Sequence, residues 1–346
     1  MSGSADHAFV ERMLDEYKSL TMATLEDYLP RTEPRAWLYD LARAYPLRSG
    51  KGLRPGLCIA SCRAFGGTTE QALRSAAALE LYHNAFLVHD DIEDGSIFRR
   101  GLPTLHSEHG IGISINVGDA MNVLSIRPLM DNLRPLGSQL TWAVFMEIEH
   151  MVRQSVEGQA MELGWVRDNV CDLTEADYLR MILKKTCWYT CIHPCRIGAL
   201  IGSGGAVRPE RFDRFGYFMG AAFQIQDDAL NLEGEHARYG KEIGGDIWEG
   251  KRTLMLIHLL GQCSGAERAD VVAFLAKPRT ERGPAEVRSV FELMRAHGSI
   301  DAAKSVARVL AGAALRELHM AYAGLPDTPD RQLIEQIVLY MIERDI

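Results

Sequence analysis

The sequence lacks what would place it in a membrane or on nucleic acid. No stretch of about 18 uninterrupted apolar residues is present, so an ordinary membrane-spanning helix is excluded and no stable membrane insertion is expected. Met1 to Tyr17 is polar and amphipathic, not a basic run ahead of an apolar core, and the expectation is an unprocessed cytoplasmic chain. Positive charge is in the minority: 38 Lys and Arg face 46 Asp and Glu, for a net charge of −8. That balance argues against nucleic acid as a partner, and any anionic ligand must be held by local cations or by metal ions. Cysteine is scarce and odd in number, seven in 346 residues, which does not suit a disulfide framework. Cys187, Cys191, His193 and Cys195 invite a zinc reading, but a spacing of four strings the sulfurs along one helical stripe at about 6 Å per step, too spread to close a tetrahedron. They are read as core residues.

What is present is helical periodicity. Apolar residues make up 47% of the chain and recur at spacings of three and four between widely placed glycines and prolines. The pattern predicts helices near 6–30, 34–45, 52–65, 69–94, 114–130, 136–165, 174–202, 209–233, 248–262, 265–275, 283–297, 299–323 and 328–344. Thr174 with Asp177 resembles a capping box, Pro209 suits a first helical turn, and Gly234 suits a helix end. With no repeat, low-complexity tract or Gly/Ser linker, a single all-α domain over residues 1–346 is expected, and a bundle with a separate unit from Gly265 is the alternative.

Two helix ends carry the chemistry. The apolar run through His83, Asn84, Ala85 and Phe86 finishes in Asp90-Asp91-Ile92-Glu93-Asp94. At about 100° per residue, Asp90 and Asp94 share a face one turn apart, and His83 lies two turns earlier on it. Gln224, Asp227, Asp228 and Asn231 repeat the design after the apolar, small-residue run Phe215 to Phe223. Acids at the mouth of an apolar cavity cost several kcal/mol per charge unless cations compensate. Two such helices facing each other would hold divalent ions, and oxygen ligands favour Mg²⁺, usually held by one or two carboxylates together with phosphate. A diphosphate is the implied ligand. The basic residues fit it: Lys51, Arg54, Arg99, Arg100, Lys185 next to Thr186, Lys241 and Lys251 stand beside glycines and acidic motifs.

From Gly50 to Thr253 the ordered motifs resemble the trans-isoprenyl diphosphate synthase (polyprenyl synthetase) family. They are the Lys51/Arg54 segment, both aspartate motifs, Arg99-Arg100-Gly101 with Pro103, Lys185-Thr186, Phe223-Gln224 and the Gly-Lys segments. The stretch from Asp90 to Pro103, and Asn231, look most similar to the geranylgeranyl diphosphate synthase branch.

The resemblance implies an isoprenoid synthase-type helical bundle around a deep central cavity, usually a homodimer, that condenses isopentenyl diphosphate with an allylic diphosphate. It implies that Asp90, Asp94 and Asp227 ligate about three Mg²⁺ ions, with Mn²⁺ as substitute and Asp91 and Asp228 in support. Arg99, Lys185, Thr186, Gln224 and Lys241 would hold the allylic diphosphate. Lys51, Arg54, His83 and Arg100 would hold isopentenyl diphosphate, with Lys251 close to the same phosphates. Two departures from the family pattern stand out: Asn231 where a third aspartate is common, and Cys187-Trp188-Tyr189 where small residues are usual, which suggests aromatic cavity walls.

Chain length is expected to depend on the turn below the first motif. If Phe86 points into the tunnel the product stops at C15, and if it packs aside Ala85 lets growth reach C20, with Tyr82 a turn deeper; the branch resemblance favours C20. Two rivals are a terpene cyclase on the same fold and a non-catalytic subunit. The intact Lys51, Arg54 and His83 set argues against the first, and both acidic motifs argue against the second.

Overall fold

A computed structural model describes residues 6–48, 50–233 and 244–342, without the side chain of Ile342. Lys241 and Gly234 lie outside the described residues, so the expectations placed on them are not addressed by the structure. In chain order the helices are α1 His7–Glu26, α2 Asp40–Leu47, α3 Leu53–Ala64, α4 Thr69–Asp94, α5 Leu105–His109, α6 Ile111–Leu124, α7 Ile126–Asp131, α8 Leu133–Arg167, α9 Glu175–Ile182, α10 His193–Gly202, α11 Asp213–Glu233, α12 Gly245–Glu249, α13 Leu254–Gln262, α14 Gly265–Leu275, α15 Pro284–Ala296, α16 Ser299–Ala321 and α17 Pro329–Ile342. Among the described residues the strands are a two-residue ribbon, Phe98–Arg99 paired antiparallel with Leu102–Pro103. The all-α expectation holds.

Local chemistry explains the boundaries that matter for the site. The helix carrying the first acidic motif spans the predicted residues because Thr68 and Gln71 close a capping box at its start, and Gly95, at φ 64°, ends it directly after Asp94. The predicted Thr174–Asp177 box is also present and opens α9. Pro209 starts a 3₁₀ turn, Pro209–Phe212, that leads into α11.

Several predicted helices are divided. The one expected at 114–130 is two, split at Ser125, whose hydroxyl bonds back to the Asn122 carbonyl at 2.5 Å just ahead of Pro128. The one at 136–165 begins earlier and kinks at Gly137, at φ 76°. The one at 248–262 breaks at Gly250, at φ 72°. The one at 174–202 contains a π-helical segment, Leu183–Ile192, between α9 and α10. Glycines on both neighbours let this wider turn fit. A Cβ on Gly158 of α8 would lie 2.2 Å from the Lys185 backbone nitrogen, and one on Gly220 of α11 would lie 2.8 Å from the Cys187 Cα. Widened turns of this kind are often found at functional sites, and this one carries Lys185, Thr186 and Tyr189.

Helix α11 joins two cores. On one side Phe215 and Met219 pack with Leu57 and Ile59 of α3, Ile197 of α10, Leu318 of α16 and Ile337 of α17. On the other, Ile225 and Leu232 pack with Met181 of α9, Leu256 and Leu259 of α13, Val290 of α15 and Ile300 of α16. The residues after Gly265 therefore share a core with those before it. The closest approach is between α3 and α10, where a Cβ on Gly198 would lie 2.1 Å from the Cys58 carbonyl oxygen. Gly198→Ala should accordingly lower stability by about 1–3 kcal/mol through overpacking. Gly312→Ala, in open surroundings on α16, should raise it by about 0.5–1 kcal/mol. Thermal unfolding followed by circular dichroism reads both, and equal shifts would refute the packing argument.

Candidate active site

Between these helices lies a cavity of ≈1040 Å³, at the upper end of the roughly 300–1,000 Å³ typical of small-molecule sites. Asp90 and Asp227 line the same cavity, as do Lys51, Arg54, His83, Arg99, Arg100, Lys185, Thr186, Gln224, Asp228 and Lys251. The two acidic motifs and nearly all the expected cations thus converge, as the sequence predicts.

Around the first motif the three aspartates are met by cations, with Arg99 shared between Asp90 and Asp91. Asp90 accepts from Arg99 Nη2 at 3.2 Å and lies 3.4 Å from both Lys185 Nζ and Gln159 Nε2. Lys185 also pairs with the buried Glu162 of α8. Burial alone would lower the Lys185 ammonium, but Glu162 and Asp90 hold its pKa well above the ordinary lysine value. Asp94 accepts from Lys251 Nζ at 2.6 Å, and the same ammonium lies 2.7 Å from Glu249 and 3.8 Å from Asp246. Burial, helped by the charge of Asp90, pushes Asp94 up to about 7.

Asp91 departs from its expected metal-supporting place. Like Asp94, it is not among the residues that line the cavity; what sets it apart is that its carboxylate is taken up by two other groups. It is 1% exposed, accepts from the Tyr45 hydroxyl at 2.5 Å and from Arg99 Nε at 2.7 Å, and so holds Arg99 in position. Lys251 departs too: it sits among Asp94, Asp246 and Glu249, not with Lys51, Arg54 and His83. Lys251 follows a turn at Gly250 that sends it back toward the first motif.

The second motif is braced from α9 and the π-helical segment. Asp228 accepts from the Tyr178 hydroxyl and from Gln224 Nε2, both at 2.7 Å, and Thr186 Oγ1 donates to Gln224 Oε1 at 2.9 Å. Burial pushes Asp228 up to about 7, with Asp227 adding to the rise against the two hydrogen bonds. Asn231, read as a departure at a third metal position, is 2% exposed and accepts the Asp246 backbone N–H at 3.0 Å. It fastens the chain after the motif.

A second cationic group lines the same cavity. Arg54 sits 4.2 Å over the Tyr189 ring, donates to Thr190 Oγ1 at 2.8 Å, and approaches His83 Nε2 at 3.2 Å. Burial, then the charge of Arg54, holds the His83 imidazole far below its usual pKa, so it is neutral. A guanidinium can only donate, so Nε2 accepts and the ring proton is on Nδ1, a buried donor with no partner among the described residues. Arg54 Nε is likewise buried without a partner among the described residues. Lys51 Nζ reaches the Tyr340 hydroxyl of α17 at 2.5 Å. Arg100 bonds the Arg48 carbonyl at 3.2 Å and packs against Gly50. Arg99 and Arg100 face different partners because Arg100 and Gly101 form the hairpin turn with φ 55° and 75°, as primed turns require.

Below the mouth, Phe86 lines the cavity and meets Tyr189 edge-on at 5.7 Å. Ala85 corrects the expectation: it is 0% exposed, packed among Ala42, Tyr45, Val88, Leu105, Val117 and Met121, and opens no path from the cavity. Tyr82 stands 6.4 Å from Phe86 outside the lining. Of the two aromatics expected to wall the cavity, Tyr189 does, whereas Trp188 packs on His150 at 4.6 Å and His193 at 5.1 Å. Sequence reasoning missed Tyr45, Gln159, Glu162, Tyr178 and Tyr340. The one available signal was the small and polar stripe Ser155, Gly158, Gln159, Glu162 at helical spacing on α8.

These features define a helical synthase of the prenyl-transfer type, with acids and cations gathered over a deep cavity. Residues 35–294 match the polyprenyl synthetase family. The chain is 33% identical over 270 residues to a geranylgeranyl diphosphate synthase of Saccharolobus solfataricus, covering 78% of this chain and 79% of that one. A polyprenyl synthase of Caulobacter crescentus, solved with calcium and isoprenyl diphosphate, superposes with a TM-score of 0.86 at 26% identity over 100% of both chains. A geranylgeranyl pyrophosphate synthase of Corynebacterium glutamicum, solved with isoprenyl diphosphate and magnesium, gives 0.85 at 26% identity over 96% of this chain and 99% of that one. The chain belongs to the polyprenyl synthetase family, whose members are trans-prenyltransferases that act on isoprenyl diphosphates with divalent metal.

The raised carboxylates carry a pH signature. Asp94 and Asp228 keep protons in the folded state that the unfolded chain releases near the ordinary carboxylate value. Between that value and about 7 the folded chain therefore binds more protons, and stability contributed by these groups falls as pH rises. In metal-free protein, Asp94→Asn should flatten the decline of Tm between about pH 5 and about pH 8. An unchanged slope would show that Asp94 carries no such proton.

Proposed function

We propose that this chain condenses isopentenyl diphosphate head-to-tail with a C5, C10 or C15 allylic diphosphate, giving geranylgeranyl diphosphate and pyrophosphate in a Mg²⁺-dependent reaction. The observation that carries this reading is the pairing of two cationic groups with different partners on one cavity: Arg99, Lys185 and Gln224 engage the aspartates, whereas Lys51, Arg54 and Arg100, with His83 beside Arg54, engage Tyr340, Thr190 and the Arg48 carbonyl. One diphosphate would need only the first group.

The donor set suits the metal. Asp90, Asp94 and Asp227 offer hard oxygen ligands, and a divalent cation beside them would favour the ionised carboxylates that burial disfavours at Asp94 and Asp228. About three Mg²⁺ ions, with Mn²⁺ as substitute, would neutralise charge on the departing pyrophosphate. Asp91 and Asp228 act as braces, through Arg99 and Gln224 respectively. Arg99, Lys185, Gln224 and, by family resemblance, Lys241 hold the allylic diphosphate, with Thr186 orienting Gln224 and Lys251 close by. Lys51, Arg54, Arg100 and the Nδ1–H of His83 hold isopentenyl diphosphate. The C1–O bond of the allylic substrate breaks, the alkene of isopentenyl diphosphate bonds to C1, and the released pyrophosphate takes the proton. Phe86, Tyr189 and Phe223 keep water from the cation.

Product length rests on cavity depth. Phe86 lies one turn, about 5 Å, below Asp90, whereas the lining continues along α8 from Gln159 to Val152, two turns or about 10 Å. That depth, with the relatives' products, supports C20. The presence of Phe86 on the wall is the specific observation that favours the alternative, a farnesyl (C15) product. A single domain, homodimer formation and a cytoplasmic location complete the reading. A dimer would cover the exposed Ile111, Ile115 and Val123 of α6 and Trp142, Phe145 and Met146 of α8; seven free thiols suit a reducing compartment. No described helix is long and apolar enough to cross a membrane.

Purified protein with MgCl₂, isopentenyl diphosphate and each allylic diphosphate should release a C20 diphosphate, and chelation should abolish turnover. Turnover without isopentenyl diphosphate would identify a cyclase, and none at all a regulatory subunit. Phe86→Ala should lengthen the product; an unchanged spectrum would show that Phe86 is not a stop. Tyr340→Phe, which removes the hydroxyl that accepts from Lys51 and donates to Glu11 at 3.4 Å, should raise the KM for isopentenyl diphosphate about 5- to 20-fold, the scale of one charge-assisted hydrogen bond, with the allylic KM unchanged. A matching rise in both KM values would rule out a role confined to Lys51.

A further inference from the structure

Three helix ends meet at the far side of the second core, away from the cavity. Cys263 directly follows α13, Glu267 stands in the first turn of α14, and His297 caps the end of α15. Their ligand atoms all lie within 4.8 Å of one another, and His297 Nε2 is 3.4 Å from Glu267 Oε2. None of the three lines the cavity.

The backbone holds each of them in place. Cys263 N–H donates to the Leu259 carbonyl at 2.9 Å and His297 N–H to the Leu293 carbonyl at 3.0 Å. Glu267 is fixed by its capping box: its carboxylate accepts the Ser264 N–H at 2.8 Å, and Ser264 Oγ accepts the Glu267 N–H at 3.3 Å. Ligands on a tetrahedral zinc ion, at about 2.0–2.3 Å from the metal, sit roughly 3.2–3.8 Å apart. The Glu267–His297 separation, here an ion pair, already falls in that range, and the Cys263 sulfur lies within 4.8 Å of both ligand atoms, so closing the site asks for a small approach of the thiol. The side chains are partly open, 24% for His297 and 37% for Glu267, which leaves an entry path and room for water as a fourth ligand.

Ligand chemistry selects the ion. A thiolate with an imidazole and one carboxylate suits Zn²⁺, whereas Mg²⁺ takes oxygen alone. We propose that Cys263, Glu267 and His297 form a Zn²⁺ site, distinct from the aspartate motifs, that ties the ends of α13 and α15 to the start of α14.

The test uses the full chain in excess MgCl₂, so that the aspartates are already supplied. Co²⁺ should bind at one equivalent per chain with a thiolate-to-cobalt charge-transfer band, and Cys263→Ser should lose that band. Zn²⁺ should raise the Tm of the unaltered protein by several degrees, the scale expected for a ligand well above its Kd. The rise should be absent in Cys263→Ser and in His297→Ala. Absence of the thiolate band in the unaltered protein, or survival of band and Tm rise in both variants, would overturn the assignment.

Discussion

Negative charge at the mouth of an apolar cavity is the constraint on which this structure depends. Each buried carboxylate is answered by a group from another part of the chain: Asp91 by Tyr45 of α2 and Arg99 of the ribbon, Asp90 by Lys185, Asp94 by Lys251, Asp228 by Tyr178 of α9. Removing one partner of a buried ionic pair typically costs about 3–5 kcal/mol, because the other charge is left uncompensated. A helix that slid by one turn would break several such contacts together. The arrangement that prepares the mouth for cations therefore also fixes how the helices pack.

Much of this was legible in the residues. The bounds of α4 match the helix expected at 69–94, and the cavity is lined by Asp90 and Asp227 as the two apolar helices ending in acid suggested. The π-helical segment was not legible: over ten residues its wider period cannot be told from 3.6, and the glycines that admit it lie on other helices. The hairpin at Phe98–Pro103 is too short to show alternation. Tyr45, Tyr178 and Glu162 were missed because one polar residue in an apolar helix does not announce its partner. Ala85 was misjudged since adjacent residues diverge by about 100°, and only packing shows which direction meets the cavity.

The same reasoning clarifies the two departures from the family pattern. Asn231 and Trp188 are engaged in fastening neighbouring segments, one to the start of α12 and the other to His150 and His193. Tyr189 differs, since it supports Arg54 on its face and Phe86 on its edge. A single ring thus links the cations at the mouth to the wall below it.

The tight hairpin at Arg100-Gly101 has a further consequence. Arg99 and Arg100 are covalent neighbours with Cα atoms about 3.8 Å apart, yet one serves the acids and the other turns toward Arg48 and Gly50. In the proposed condensation the two phosphate-holding guanidinium groups spring from one turn, Arg99 steadied by Asp91 and Arg100 by the Arg48 carbonyl, so a shift of that turn would move a holder of each diphosphate together.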